Sequence, residues 1–67
     1  MPKIKIEAAR INSGFTQAEL AKKLGVSREL VNKWENGKAD IRTADLIALC
    51  SITGFSVDDI LLPKVVT

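Results

Sequence analysis

The sequence predicts an all-α fold, a compact bundle of five short helices in one domain spanning residues 1–67. Three observations carry this. Cap residues and glycines punctuate the chain at short intervals: Ser13-Gly14, Thr16 with Glu19, Gly25, Ser27, Gly37, Gly54, and Ser56 with Asp59. Apolar residues recur at helical spacing between these marks. The hydrophobic content of 46% suits a packed globule, and 67 residues lie near the lower limit for a core without staples.

The first helix is expected over about Ile4 to Asn12, with Ile4, Ala8 and Ile11 as its inward stripe, Ala9 beside it, and Ser13-Gly14 as the exit. Arg10 sits among apolar neighbours, a poor place for a side chain bound wholly for water. Phe15 precedes the Thr16 cap at a hydrophobic-staple position facing Leu20.

Thr16 followed by Glu19 is a capping box that opens the second helix. Leu20, Ala21 and Leu24 form its apolar stripe, and Gly25 ends it by supplying a left-handed residue. Lys22 and Lys23 fall on the solvent side. Val26 turns inward and Ser27 caps a third helix over about Arg28 to Asn36, whose inward face is Val31 and Trp34. Helix, glycine turn and helix, with a polar outer face on the second, make a helix-turn-helix.

That outer face holds Ser27, Arg28, Glu29, Asn32 and Lys33. Arg28 and Lys33 can donate to guanine O6 and N7, Asn32 can pair with adenine N6 and N7, and Glu29 can accept from cytosine N4 while repelling phosphate. Leu30, apolar on the same side, either touches a thymine methyl or pads the seam between the second and third helices. Backbone amides of Asn36-Gly37-Lys38, with the Lys38 ammonium, are placed for phosphates beyond the groove. Asp40 opposes that role in the next loop and Arg42 restores it.

The fourth helix is expected from about Thr43 to Thr53 with Leu46, Leu49, Cys50 and Thr53 inward. Cys50 reads as a small buried hydrophobe, because no basic neighbour or second cysteine would activate it. Phe55 enters the core. Ser56 with Asp59 caps a fifth helix, Val57 to Leu62, stopped by Pro63.

The stretch TQAELAKKLGVS…VNKWENGK resembles the small phage repressor and Cro type of helix-turn-helix DNA-binding proteins, through Gln17, Ala21, Gly25, Ser27, Val31, Trp34, Glu35, Asn36 and Gly37 in order. The likeness is dense over Thr16 to Lys38 and weaker over about Lys5 to Leu62. It implies a lambda-repressor-like domain in which Arg10 pairs with Glu35 as scaffold. By position, Arg28, Glu29 and Lys33 match the main base-contacting sites, and Ser27 and Asn32 supporting ones. Gln17 matches the residue that grips the DNA backbone and braces the start of the third helix, and Asn36, Lys38 and Arg42 join it as expected phosphate contacts. The C-terminal end would support a two-fold dimer through Val57, Ile60, Leu61 and Val65. Two departures stand out: Ala39-Asp40-Ile41-Arg42 replaces a loop that is often more basic and carries a proline, and Thr53 stands where leucine is usual.

Composition narrows the remaining classes. A single cysteine and no histidine exclude an internal disulfide and a Cys-based zinc site, and remove the commonest general base. With no phosphate loop and no plausible acid pair, an enzyme, a cofactor, a metal and a small-molecule ligand are not expected. No apolar run approaches a membrane span and no signal peptide is seen, so a cytoplasmic protein is expected. Net charge is +2, but residues 1–42 hold nine Lys or Arg against five Asp or Glu, while residues 43–67 hold one against three. The basic excess lies with the helix-turn-helix, where phosphates would lie. The expected function is a transcriptional regulator, a repressor binding a palindromic operator on double-stranded DNA as a homodimer. An antitoxin or restriction-system controller of the same fold, or an interaction module that has lost DNA binding, are the alternatives.

Overall fold

Ile6, Trp34 and Ile60, from three separate elements, are all buried in one core, and the chain path follows from that. The computed structural model describes residues 3–62. Their order is β1 (Ile4–Lys5), α1 (Ile6–Asn12), α2 (Gln17–Leu24), α3 (Arg28–Glu35), α4 (Thr43–Thr53), a single 3-10 turn (Val57–Asp59) and β2 (Ile60–Leu61). Ile6, Ala9, Leu20, Ala21, Val31, Trp34, Leu46, Leu49, Cys50 and Ile60 form the core.

The all-α class stands, but with four α-helices among the described residues instead of five. The segment expected as a fifth helix makes only one 3-10 turn before Ile60 and Leu61 extend and pair in parallel with Ile4 and Lys5. Six residues are too few to offset helix nucleation, and Pro63 disfavours the α conformation at the residue before it. The Ser56 amide (3.2 Å) and hydroxyl (2.9 Å) both donate to Asp59 Oδ2 and hold the turn tight.

The same pairing corrects the start of α1. Ile4 and Lys5 are extended, so the helix begins at Ile6 and its buried face is Ile6, Ala9 and Arg10, at i, i+3 and i+4. Ile11, expected inward, is exposed. Ile60, expected at a dimer surface, is only 4% exposed and belongs to the core, whereas Leu61 beside it is 45% exposed. Ile60→Ala should therefore cost about 2–5 kcal/mol as a core truncation, and Leu61→Ala no more than about 0.5 kcal/mol. Urea denaturation of the two variants checks this; equal small losses would place Ile60 outside the core.

In α4, Leu46, Leu49 and Cys50 are buried and the Thr53 hydroxyl donates to the Leu49 carbonyl at 2.9 Å. A hydroxyl is thereby accommodated near the core where leucine was expected. Burial pushes the Cys50 thiol pKa up, which keeps it protonated and unreactive.

Candidate nucleic-acid interface

The two helices that carry the candidate site are each fixed at the N-terminus by a side chain. At α2, the Glu19 amide donates to Thr16 Oγ1 (3.1 Å) and the Thr16 amide to Glu19 Oε1 (2.9 Å). The backbone hydrogen bond from Thr16, then that from its hydroxyl, lowers the Glu19 pKa. A carboxylate held charged in this way supports the helix fully above the ordinary carboxylate range, and that support disappears as pH falls through the lowered value.

The turn between the helices is set by Gly25, whose φ of 71° is left-handed. The Val26 amide reaches back to the Ala21 carbonyl at 3.0 Å and the Gly25 amide to Lys22 at 3.3 Å, which closes α2 in a Schellman arrangement. Ser27 then caps α3, its Oγ accepting from the Leu30 amide at 3.1 Å. Leu30 packs partly buried against the core.

One buried cluster locks α3 against α1 and α2. Arg10 Nε donates to Glu35 Oε2 at 2.7 Å and Nη2 to Oε1 at 3.2 Å, a two-pronged pair with side chains only 10% and 3% exposed. Arg10 Nη1 donates to the Phe15 carbonyl at 2.9 Å, tying in the loop before α2. Gln17 Nε2 completes the cluster by donating to Glu35 Oε1 at 2.9 Å. Gln17 thus braces the start of α2 against the end of α3, and not against its start as the resemblance implies.

With its inner side held, α3 turns Arg28, Glu29, Asn32 and Lys33 outward, all exposed. These four, with Lys38, border one open depression on the surface. Ser27, the N-cap of α3, is exposed as well. The chain returns to the depression because the Lys38 amide donates to the Lys33 carbonyl at 2.8 Å.

Two expected phosphate contacts are arranged differently from each other. Asn36 has its side-chain Nδ2 directed at the Asn32 carbonyl (3.0 Å) and Asn32 Oδ1 (3.1 Å), and its backbone amide also bonds Asn32. No side-chain donor of Asn36 is left for a phosphate in this arrangement. Arg42, in contrast, stays 78% exposed while its Nε donates to Asp45 Oδ2 at 3.1 Å. Its two terminal nitrogens remain available, and the nearly buried Asp45 fixes their direction. Sequence reasoning missed Asp45; the signal was an acid three residues after Arg42 in the first turn of a helix, where the dipole favours a carboxylate.

At the opposite end, Val57 (48% exposed) and Leu61 are open to solvent and Ile60 is not; Val65 lies outside the described residues.

A capped helix, a left-handed glycine turn and a second capped helix with a polar outer face define a helix-turn-helix protein. The Helix-turn-helix family model matches residues 6–60, and the chain belongs to that family, in its small phage-repressor and Cro type. Similar solved structures include the DNA-binding domain (1–76) of the P22 C2 repressor, with a TM-score of 0.72 and 32% identity over 79% of this chain and 70% of that one. A hypothetical transcription factor, NHTF from Neisseria, matches with a TM-score of 0.75 and 28% identity, over 87% of this chain and 65% of that one.

Proposed function

We propose that this protein is a DNA-binding transcriptional regulator that reads double-stranded DNA with the outer face of α3. The observation that carries the reading is the group Arg28, Glu29, Asn32 and Lys33, exposed together on a helix whose other side is locked by Arg10, Gln17 and Glu35. Arg28 and Lys33 supply donors for guanine, Asn32 an amide for a purine edge, and Glu29 an acceptor for cytosine. Gln17, Lys38 and Arg42 supply donors for the flanking phosphates, which set register and carry no base information.

A single α3 reads only a few base pairs. Two copies, joined through the exposed Val57 and Leu61 end, would set their recognition helices in successive major grooves roughly 34 Å apart on a near-palindromic operator. Bound there, the dimer represses by occluding polymerase. The names of the two structural neighbours, a repressor DNA-binding domain and a transcription factor, support the same reading.

Selection from a random duplex library, run at low and at physiological salt, tests it. The expected result is an inverted repeat whose half-sites lie about one helical turn apart. Retention at low salt alone with no motif would leave only counterion-driven binding. No retention at either salt would point to a protein partner instead.

A further inference from the structure

We infer that Asn36 is a positioning residue for base reading: its side chain holds the Asn32 amide in one orientation, so that Asn32 presents its N–H donors to a purine N7. The inference rests on the proposed reading of DNA by α3 and assigns a role inside it.

The orientation follows from hydrogen-bond chemistry. Asn36 lies one turn beyond Asn32, and one end of its amide is 3.0 Å from the Asn32 backbone carbonyl. A backbone carbonyl only accepts, so that end must be Nδ2. The same Nδ2 is 3.1 Å from the near end of the Asn32 amide. Facing a donor, that end must be an acceptor, Oδ1. One unambiguous acceptor therefore sets both amides.

The consequence is directional. Asn32 Oδ1 is turned toward the C-terminal end of α3 and has one lone pair engaged. Nδ2, with both protons free, is the open edge of an exposed side chain in the Arg28, Glu29 and Lys33 group. An N–H donor suits purine N7, with the remaining Oδ1 lone pair able to accept from adenine N6, and it opposes the N4 amine of cytosine. Without Asn36 the amide would turn freely and lose part of this discrimination. Both side chains are exposed, so the bond contributes little to folding and its effect is read in sequence preference.

The experiment is a random-library selection at physiological salt with the wild type and with Asn32→Ala, Asn36→Ala and Asn36→Asp, each first checked for an unchanged melting temperature. Asn32→Ala should flatten one base-pair position per half-site, a purine in the wild-type motif. Asn36→Ala should weaken preference at that same position by about two- to tenfold, the equivalent of one hydrogen bond, and leave the positions read by Arg28 and Lys33 intact. In Asn36→Asp a carboxylate oxygen is repelled by the Asn32 carbonyl that Nδ2 faces, so the hold on Asn32 is lost and the purine preference there should weaken as in Asn36→Ala. The added charge weakens binding to all sequences alike and cancels in the preference. An unchanged preference at the Asn32 position in both Asn36 variants would overturn the inference, as would an equal loss at every position. A wild-type library with no motif would remove the regulator reading itself, and this inference with it.

Discussion

Glu35→Ala should lower stability by about 3–5 kcal/mol, because it leaves the Arg10 guanidinium buried without its counter-charge. Arg10 would keep only the Phe15 carbonyl and a 4.0 Å approach to the exposed Glu7, and Gln17 Nε2 would lose its acceptor as well. Small domains hold only about 5–15 kcal/mol in total, and each kcal/mol is worth about 4–8 °C of melting temperature at this size. The single variant should therefore melt about 12–40 °C below the wild type. Thermal and urea denaturation followed by Trp34, which is fully buried, reads the transition directly.

The pair's own worth is a separate question. Burial of two charges costs desolvation that their attraction only partly offsets, so Arg10→Met with Glu35→Leu should recover much of the loss. What the double variant should not recover is the brace from Gln17 to α3. It should fold and yet bind duplex DNA less well than the wild type. A double variant as unstable as Glu35→Ala would show that the cluster holds the core by packing and not by charge pairing.

Arg28→Ala and Lys33→Ala should act in the opposite manner. Both side chains are exposed, so melting should stay within the small range of surface substitutions. Discrimination at the base pair each one reads should fall by about 1–3 kcal/mol, a loss confined to that position. Lys38→Ala separates backbone from base contacts: affinity should fall for all sequences alike and the salt slope should drop by about 1. Competition binding on single-substituted duplexes measures both patterns. A uniform loss in Arg28→Ala would make that residue a phosphate contact instead of a reader.

The parts of this fold legible in the sequence are those written in local chemistry. Thr16 with Glu19, Gly25 and Ser27 act within one turn of their own positions, so residue type and spacing were sufficient. The inward faces of α2, α3 and α4 followed from periodicity for the same reason. The Arg10–Glu35 pairing did not come from spacing at all; the family resemblance supplied it, and the apolar neighbours of Arg10 marked only that it was misplaced for a surface residue.

What was hidden is non-local or too short to have a period. The two-residue ladder of Ile4 and Lys5 with Ile60 and Leu61 joins opposite ends of the described chain. Neither partner alternates long enough to announce a strand. Missing it moved the start of α1 by two residues, which put Ile11 in the expected core in place of Ile6, and it turned Ile60 outward. Asn36 is hidden for another reason: an asparagine beside a glycine exit suits a phosphate clamp by type, and only the geometry shows its side-chain amide directed at Asn32.

The most direct test of the central claim is a titration of the isotopically labelled protein with the selected duplex, followed by amide and side-chain NMR shifts. The largest changes should fall on Ser27 to Lys33, Gln17, Lys38 and Arg42, with the core amides of α4 little affected. Changes centred on Val57 and Leu61 with α3 silent would contradict it, and would move the DNA-binding face away from the recognition helix.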